Sequence, residues 1–276
     1  MTQYGRDSLW KDTAELDVTK ARDLVARLEK RGEAPDEIAA RTAYLDLLGI
    51  KEGDRVLDAG CGSGVVTRAI AKRVGPTGRV VGVDPSASFL AIAREIADTT
   101  DVAARIEFRE GSADALPFAD GSFDAAIAVT VLAHMHDGAA AVPELARVVR
   151  PGGRIGVFDF DADMTVFTHP DREMTRRIVS SAADAVAMDG WIARRMPALF
   201  ARAGIRDVQV RGFFPLDSDP GGFYIQLAER SSSAAVKSGA VTEDDARRWL
   251  EAFHAQLADG PVVAGRLHLF VWGRKP

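Results

Sequence analysis

The segment Val56-Leu-Asp-Ala-Gly-Cys-Gly-Ser-Gly64 places three glycines at alternate positions directly after an apolar run that leads into Asp58. Without a Cβ, Gly60, Gly62 and Gly64 let the backbone turn sharply and approach a ligand closely. Dinucleotide sites use such turns, with the spacing GxGxxG. Here the spacing is GxGxG, and Val65 stands where the third glycine of that pattern falls. Asp58 separates the readings further. A carboxylate beside the loop repels a pyrophosphate but favours a ligand carrying an ammonium and a sulfonium, which describes S-adenosylmethionine. Asp84, followed by Pro85, ends the run Val81-Gly-Val-Asp84 and is suited to accept hydrogen bonds from both ribose hydroxyls. Dinucleotide sites use the same device, so Asp84 alone does not discriminate. Its other role is to cap the next helix, although Ser86 can fill that place.

Other residues offer chemistry with a plainer alternative beside it. Cys61 has no base adjacent in sequence, so a small packing residue competes with a nucleophile. His134-Met-His136-Asp137 supplies three metal-capable groups in four residues but lacks a distant partner, and no metal site is expected. His134 can instead face the acceptor, act as a base, or form structural hydrogen bonds. Asp159, Asp161 and Asp163 alternate as if along one side of an extended segment, or lie in a solvated loop. His169 suits a helix entry before Pro170 as well as a pocket. Arg172, Arg176, Arg177, Arg194 and Arg195 form either a recognition site for an acidic or phosphorylated substrate or a solvated helix face. Trp191, Phe213, Phe214 and Tyr224 divide in the same way between a substrate wall and core packing.

The elements that must hold these groups follow from periodicity. Residues 14–48 read as helical, with a break near Gly32 to Pro35. Strand, helix, strand, helix then follows as Arg55–Asp58, Val65–Val74, Arg79–Val83 and a helix N-capped by Ser86, the signature of a parallel sheet covered on both faces. The alternation continues through Ile106–Phe108, Phe123–Val131, a helix stopped by Pro151-Gly-Gly153, and Arg154–Phe160. Helices are expected at about Asp171–Met188 and Trp191–Ala203, and a strand at Asp207–Phe214. Thr242-Glu-Asp-Asp245 resembles a capping box for a helix that buries Trp249, Leu250, Phe253 and Leu257. Arg266–Trp272 alternates like a final strand, and Ser231–Ser233 reads as a helix end or loop.

Composition limits the partners. A chain of 276 residues, 47% hydrophobic, with formal charge -5, argues for an ordinary globular protein and against a general phosphate-binding surface, so nucleic acid is not expected. No apolar run reaches the length of a membrane span, and the polar stretch Met1–Trp10 lacks the apolar core of a signal peptide. A cytoplasmic location is the expectation, with the oligomeric state left open.

Four segments in order, Val56–Gly64, Gly82–Pro85, Gly111–Asp124 (GSADALPFADGSFD) and Leu145–Gly153 (LARVVRPGG), resemble the class I S-adenosylmethionine-dependent methyltransferases. The branch resembled is that of the ubiquinone and menaquinone C-methyltransferases. The resemblance implies a doubly wound α/β fold with a seven-stranded, mostly parallel sheet. It also implies an antiparallel last strand, Arg266–Trp272, beside Asp207–Phe214, and helical additions forming a substrate lid. Residues 1–48 would be a helical cap, 49–160 the cofactor-binding core, 161–204 a helical connection at the substrate, and 205–276 the last strands with a helical insertion at 217–260. Carried over by position, Asp58, Gly60, Cys61 and Gly62 would surround the methionine portion, Asp84 and Pro85 the ribose, Ser112 and Ala113 the adenine, and Thr130 the reactive end. Ser112 departs from the family pattern, which has an aspartate there, so neighbouring Asp114, the hydroxyl or water must serve the adenine edge.

The expected reaction is in-line methyl transfer to a small-molecule acceptor, with His134 first and Asp161 second as candidate bases. Two other functions compete: a non-catalytic S-adenosylmethionine-binding protein, and an NAD(P)-dependent oxidoreductase disfavoured by GxGxG and Asp58.

Overall fold

The computed structural model describes residue 10 and residues 13–217, 221–260 and 262–276; the amino-terminal stretch 1–9 lies outside them. Val56 and Leu57 of β1 (Arg55–Ala59) point to opposite sides, and both are fully buried, so β1 has a hydrophobic layer on each face. Leu57 joins a core with Val81 and Leu145, whereas Val56 joins Ile70, Leu45 and Phe270. β2 (Arg79–Asp84) and β3 (Ile106–Glu110) pair in parallel on one side of β1, and β4 (Phe123–Val129) and β5 (Val149–Phe167) on the other. The chain therefore reverses its order at the β1–β4 boundary, where open α/β sheets form their ligand crevice. β8 (Ala264–Arg274) lies antiparallel between β5 and β6 (Arg206–Phe213), giving the order β3-β2-β1-β4-β5-β8-β6. This is the doubly wound, mostly parallel seven-stranded sheet expected, with an additional two-residue strand, β7 (Leu216–Asp217), on β8.

Helices α1 (Val18–Gly32) and α2 (Pro35–Leu48) form the amino-terminal pair. Pro35 opens α2 where no backbone donor is needed, and Gly49 closes it in the left-handed conformation at φ +71°. α3 (Val65–Arg73) and α4 (Ala87–Asp98) follow β1 and β2; the Ser86 hydroxyl accepts from Phe89 N at 3.2 Å and caps α4 as anticipated. α5 (Ala141–Val148) and α7 (Ile192–Arg202) cover the sheet face opposite α2 and α3. α6 (Arg172–Val186), α8 (Phe223–Lys237) and α9 (Glu243–Asp259) gather around a separate cluster of Tyr224, Trp249 and Phe253 with Phe167. No helix among the described residues is long and apolar enough to cross a membrane.

Three expectations are corrected. β5 does not stop at Phe160 but continues to Phe167, because β8 runs on beside it and pairs Thr165 with Arg266 and Phe167 with Ala264. Pro151-Gly-Gly153 likewise lies within β5, where a register shift against β4 absorbs it and Lys275 N donates to Gly153 O. Ser231–Ser233 is no helix end: it lies inside α8, where Ser231 and Ser232 are buried because small side chains let α6 and α8 approach.

A buried ion pair fixes the entrance to the core. Arg154, at the start of the regular part of β5, reaches Asp54 Oδ2 at 2.5 Å and also donates to Gly49 O, while Lys51 N donates to the same Asp54 oxygen at 2.7 Å. Both side chains are only about a tenth exposed (10% and 11%). Arg154→Met strands a buried carboxylate and is expected to cost about 3–5 kcal/mol in urea unfolding, whereas adding Asp54→Asn should recover a large part of it. Equal stability of the Arg154→Met single variant and the native chain would show that the pair does not hold the loop.

Candidate active site

The loop after β1 closes on the end of β2. Gly60 N and Cys61 N both donate to Val83 O, at 2.7 and 2.9 Å, and Asp84 Oδ2 accepts from Gly62 N at 2.9 Å. Gly60 lies at φ +77° and Gly62 at φ +53°. A Cβ on Gly60 would sit 2.4 Å from Val131 Cγ2, so glycine is required by space as well as by conformation. The loop thereby lines a cavity of about 390 Å³, which Asp58, Gly60, Cys61, Gly62, Asp84, Pro85, Ser112 and Thr130 all reach. Of the residues expected to hold a cofactor, only Ala113 does not line it. Its side chain packs into the core with Leu116, while Ser112, whose hydroxyl bonds Asp114, faces the cavity.

Two carboxylates dominate this end. Asp58 is 1% exposed and accepts from Thr67 Oγ1 at 2.6 Å. Burial pushes its carboxyl up to about 7, with the Thr67 hydroxyl opposing and the charge of Asp84 adding to the rise. Asp84 also accepts from Ser86 N at 2.9 Å; burial raises it to about 6 against its two backbone donors. Asp84 thus serves the turn into α4 and the cavity together, and the choice posed by the sequence between capping and binding does not arise. Ser63 Oγ, buried on the cavity wall, has no hydrogen-bond partner among the described residues. A cradle with paired carboxylates, a spare buried hydroxyl and glycines at positive φ fits the ammonium, sulfonium and ribose groups of S-adenosylmethionine. Thr130 adds strain to the wall: a β-branched residue at φ +54°, held by its N–H on Phe158 O at 2.7 Å.

His134 ends a short 3-10 turn after β4, half-buried, 5.4 Å from the Phe160 ring and 6.2 Å from the Trp10 ring. Burial, with Arg266 and Arg31 nearby, pushes its imidazole down to about 3, so it is neutral at pH 7. His136 and Asp137 are exposed, and among the described residues no three metal-capable side chains come together. Asp161 is not at the site. It is 2% exposed, lines neither of the two cavities, and is held bidentately by Arg194, because the continuing strand turns it toward α7. Cys61 packs against Phe108 and Leu90, and burial beside Asp84 and Asp58 raises its thiol well above its ordinary value, which removes the nucleophile reading.

The basic residues singled out in the sequence also lie elsewhere. Arg172, Arg176 and Arg177 are exposed on α6, and Arg195 pairs with Asp189. His169 stacks on Trp249 at 4.8 Å; Trp191 and Phe214 are exposed, and Phe213 packs edge-on to Phe158. Of the proposed aromatic wall, Tyr224 lines a second cavity beside the first, and the other three line neither. That second cavity, about 320 Å³, adjoins the first and shares Trp10, Leu28, Arg31 and His134 with it. Residues that sequence reasoning missed therefore come from both ends of the chain: Leu28 and Arg31 from α1, Glu37 and Tyr44 from α2, Arg266 and His268 from β8. Their one visible signal is in β8, where Arg266 and His268 alternate with Leu267 and Leu269 and take the buried positions.

A methyltransferase-domain family model matches residues 56–153, from β1 to the start of β5. A 37.1 kDa protein encoded in transposon TN4556 of Streptomyces fradiae is 32% identical over 245 residues, covering 88% of this chain and 68% of that one. The ubiquinone/menaquinone biosynthesis C-methyltransferase UbiE of Pseudomonas savastanoi is 34% identical over 141 residues, 51% of either chain, so the match spans about half the length of that relative. Among solved structures, phosphoethanolamine N-methyltransferase 2 of Haemonchus contortus with bound S-adenosylmethionine shares the fold at TM-score 0.60 and 17% identity, over 97% of this chain and 60% of that one. With its glycine loop, paired carboxylates and sheet order, the chain belongs to the class I S-adenosylmethionine-dependent methyltransferases, in the part of that family related to UbiE.

Proposed function

We propose that the protein transfers the methyl group of S-adenosylmethionine to a small molecule seated in the second cavity. The observation that carries this reading is the junction of the two cavities at His134 and Leu28. Asp58, the Gly60–Gly62 loop and Ser63 would hold the amino-acid end of the cofactor, Asp84 the ribose, and Ser112 with Asp114 the adenine side. The bound cofactor supplies an electrophilic methyl on a positively charged sulfur. The residues of this chain align the acceptor and exclude water, and Thr130, Val131 and Phe158 form the apolar wall where that alignment matters. The neutral His134 is placed to position the acceptor at the junction and to receive a hydrogen bond from it. Its depressed basicity makes it a weak proton acceptor, so alignment carries more of the rate than proton removal.

Loss of the ribose acceptor in Asp84→Ala should weaken S-adenosylmethionine and S-adenosylhomocysteine by roughly 1.5–3 kcal/mol in calorimetric titration. Gly62→Val should abolish binding of both, since the valine meets Leu28 Cδ1 and an unsuitable φ, with the sheet intact by circular dichroism. Normal affinity in both variants would remove the loop from the cofactor site.

The raised carboxyls set a pH dependence. Asp58 and Asp84 become fully charged only as pH rises through about 7 and about 6, so they attract a cation less below those values. Affinity for S-adenosylmethionine should therefore increase roughly tenfold between pH 5.5 and 7.5, and less for S-adenosylhomocysteine, which lacks the sulfonium charge. Parallel, flat profiles for the two ligands would contradict this.

Replacing the junction imidazole in His134→Gln should lower turnover roughly 10²-fold, leaving S-adenosylhomocysteine affinity close to the native value. The remaining activity should show no titration near pH 6.5 that the native enzyme lacks. Unchanged turnover with an acceptor identified by methyl-label screening would take His134 out of the reaction.

A further inference from the structure

The second cavity is basic on one side and aromatic on the other. Arg266 projects from β8 with only 7% of its surface exposed, and Nε donates to Thr165 Oγ1 at 2.8 Å. Its guanidinium lies 4.8 Å from the centre of the Phe160 ring. No carboxylate stands within ion-pair distance of Arg266 among the described residues, and its remaining N–H groups have no acceptor there. Arg230, on α8, lies 5.1 Å over the Phe223 ring and likewise has no carboxylate partner among those residues. Arg31 shares the cavity, but its charge is engaged by Glu37 at 2.8 Å. Among the described residues Glu229 is the one carboxylate on this wall, and it is exposed and directed to His254 at 3.7 Å.

A buried guanidinium without a counterion is costly, and two like charges facing one cavity add to the cost. Burial, with the neighbouring Arg31 and Arg230, lowers Arg266 to about 10 against the opposing pull of Tyr224 and Asp161. The local packing offers no compensation of that size: an aromatic ring and one hydroxyl satisfy only part of a five-donor fork. A ligand oxyanion supplies what is missing, since a planar guanidinium binds carboxylate or phosphate oxygens in pairs.

We propose that the methyl acceptor is an organic anion whose phosphate, diphosphate or carboxylate group is bound by Arg266 and Arg230. Its apolar body lies against Phe160, Phe223 and Leu227, and its reacting atom reaches the junction at His134. This deepens the methyltransferase reading and rests on it for the identity of the acceptor, but the anion site itself can be tested alone. The methyltransferase-domain model ends at residue 153, before the strand and helix that carry both arginines, so this pocket lies outside the matched domain.

The test titrates pyrophosphate, inorganic phosphate and benzoate separately into the full chain, with and without saturating S-adenosylhomocysteine, by calorimetry. At least one probe should bind at millimolar concentration or below, and the preferred probe distinguishes phosphoryl from carboxylate recognition. In Arg266→Met and Arg230→Met the affinity for that probe should fall about 10- to 100-fold, with S-adenosylhomocysteine affinity preserved. Without a probe, Arg266→Met should melt no lower than the native chain, because an uncompensated buried charge has been removed. Should Arg266→Met not fold, Arg230→Met reads the same site from a half-buried position. Absence of binding by all three probes, or undiminished binding in the variants, would overturn the proposal. Failure of S-adenosylhomocysteine to bind the native chain would instead strike the cofactor reading and leave the probe titration standing.

Discussion

Asp84 accepts one hydrogen bond from the loop after β1 and another from the turn entering α4, and the site is arranged around that double acceptance. It fixes Gly62 at a positive φ, draws the glycine loop against the end of β2, and leaves the carboxylate facing the cavity. Both β1 and β2 must end side by side for this to happen, which their parallel register provides by pairing Ala59 with Val83. The loop geometry is thus a consequence of sheet pairing plus one buried acceptor. Asp58, also buried and only nine residues before its Thr67 partner, then adds a second negative group at little further structural cost.

Charge is sorted along the joined cavities. The cofactor end holds Asp58 and Asp84; the far end holds Arg230 and Arg266; Arg31 and Glu37 neutralise each other between them. The two histidines near the boundary stay neutral, for burial and the adjacent guanidiniums depress both His134 and His268 to about 3. Arg31 approaches His268 Nε2 at 3.3 Å while Nδ1 faces Arg266 O at 3.1 Å, an arrangement that suits the tautomer protonated on Nδ1. Under the proposed reading, a cationic donor and an anionic acceptor are drawn to opposite ends and meet where neither wall adds charge.

The sheet and the cofactor end were legible in the sequence because they depend on local signals: glycine spacing, short apolar strands, a Ser86 cap. Asp58, Gly60, Gly62, Asp84, Pro85, Ser112 and Thr130 lie within or just beyond single strand ends, so knowing the strand is nearly knowing the site. Ala113 turns its side chain to the core because one residue of shift between Ser112 and Asp114 exchanges cavity for core. Asp161 lies away from both cavities for a different reason. Its orientation depends on how far β5 extends, and that is decided by β8, more than a hundred residues later. The second cavity has the same long-range origin, being assembled mainly from α1, α8 and β8, and no pattern within any one of these segments announces the others.

The lengthened β5–β8 ribbon contains a step. Phe160 pairs with His268 and Thr165 with Arg266, so five positions on one strand are matched by two on the other. Below this irregularity the strands belong to the main sheet; above it they support the cluster of Phe167, Tyr224, Trp249 and Phe253. Because a bulge breaks the side-chain alternation, the register above it is independent of the register below. Substitutions, insertions or a changed tilt in the upper ribbon can therefore be inherited without disturbing the lower one. The architecture separates two tasks along a single continuous strand, so the outer helical cluster can be remodelled while the sheet that ends in the glycine loop stays as it is.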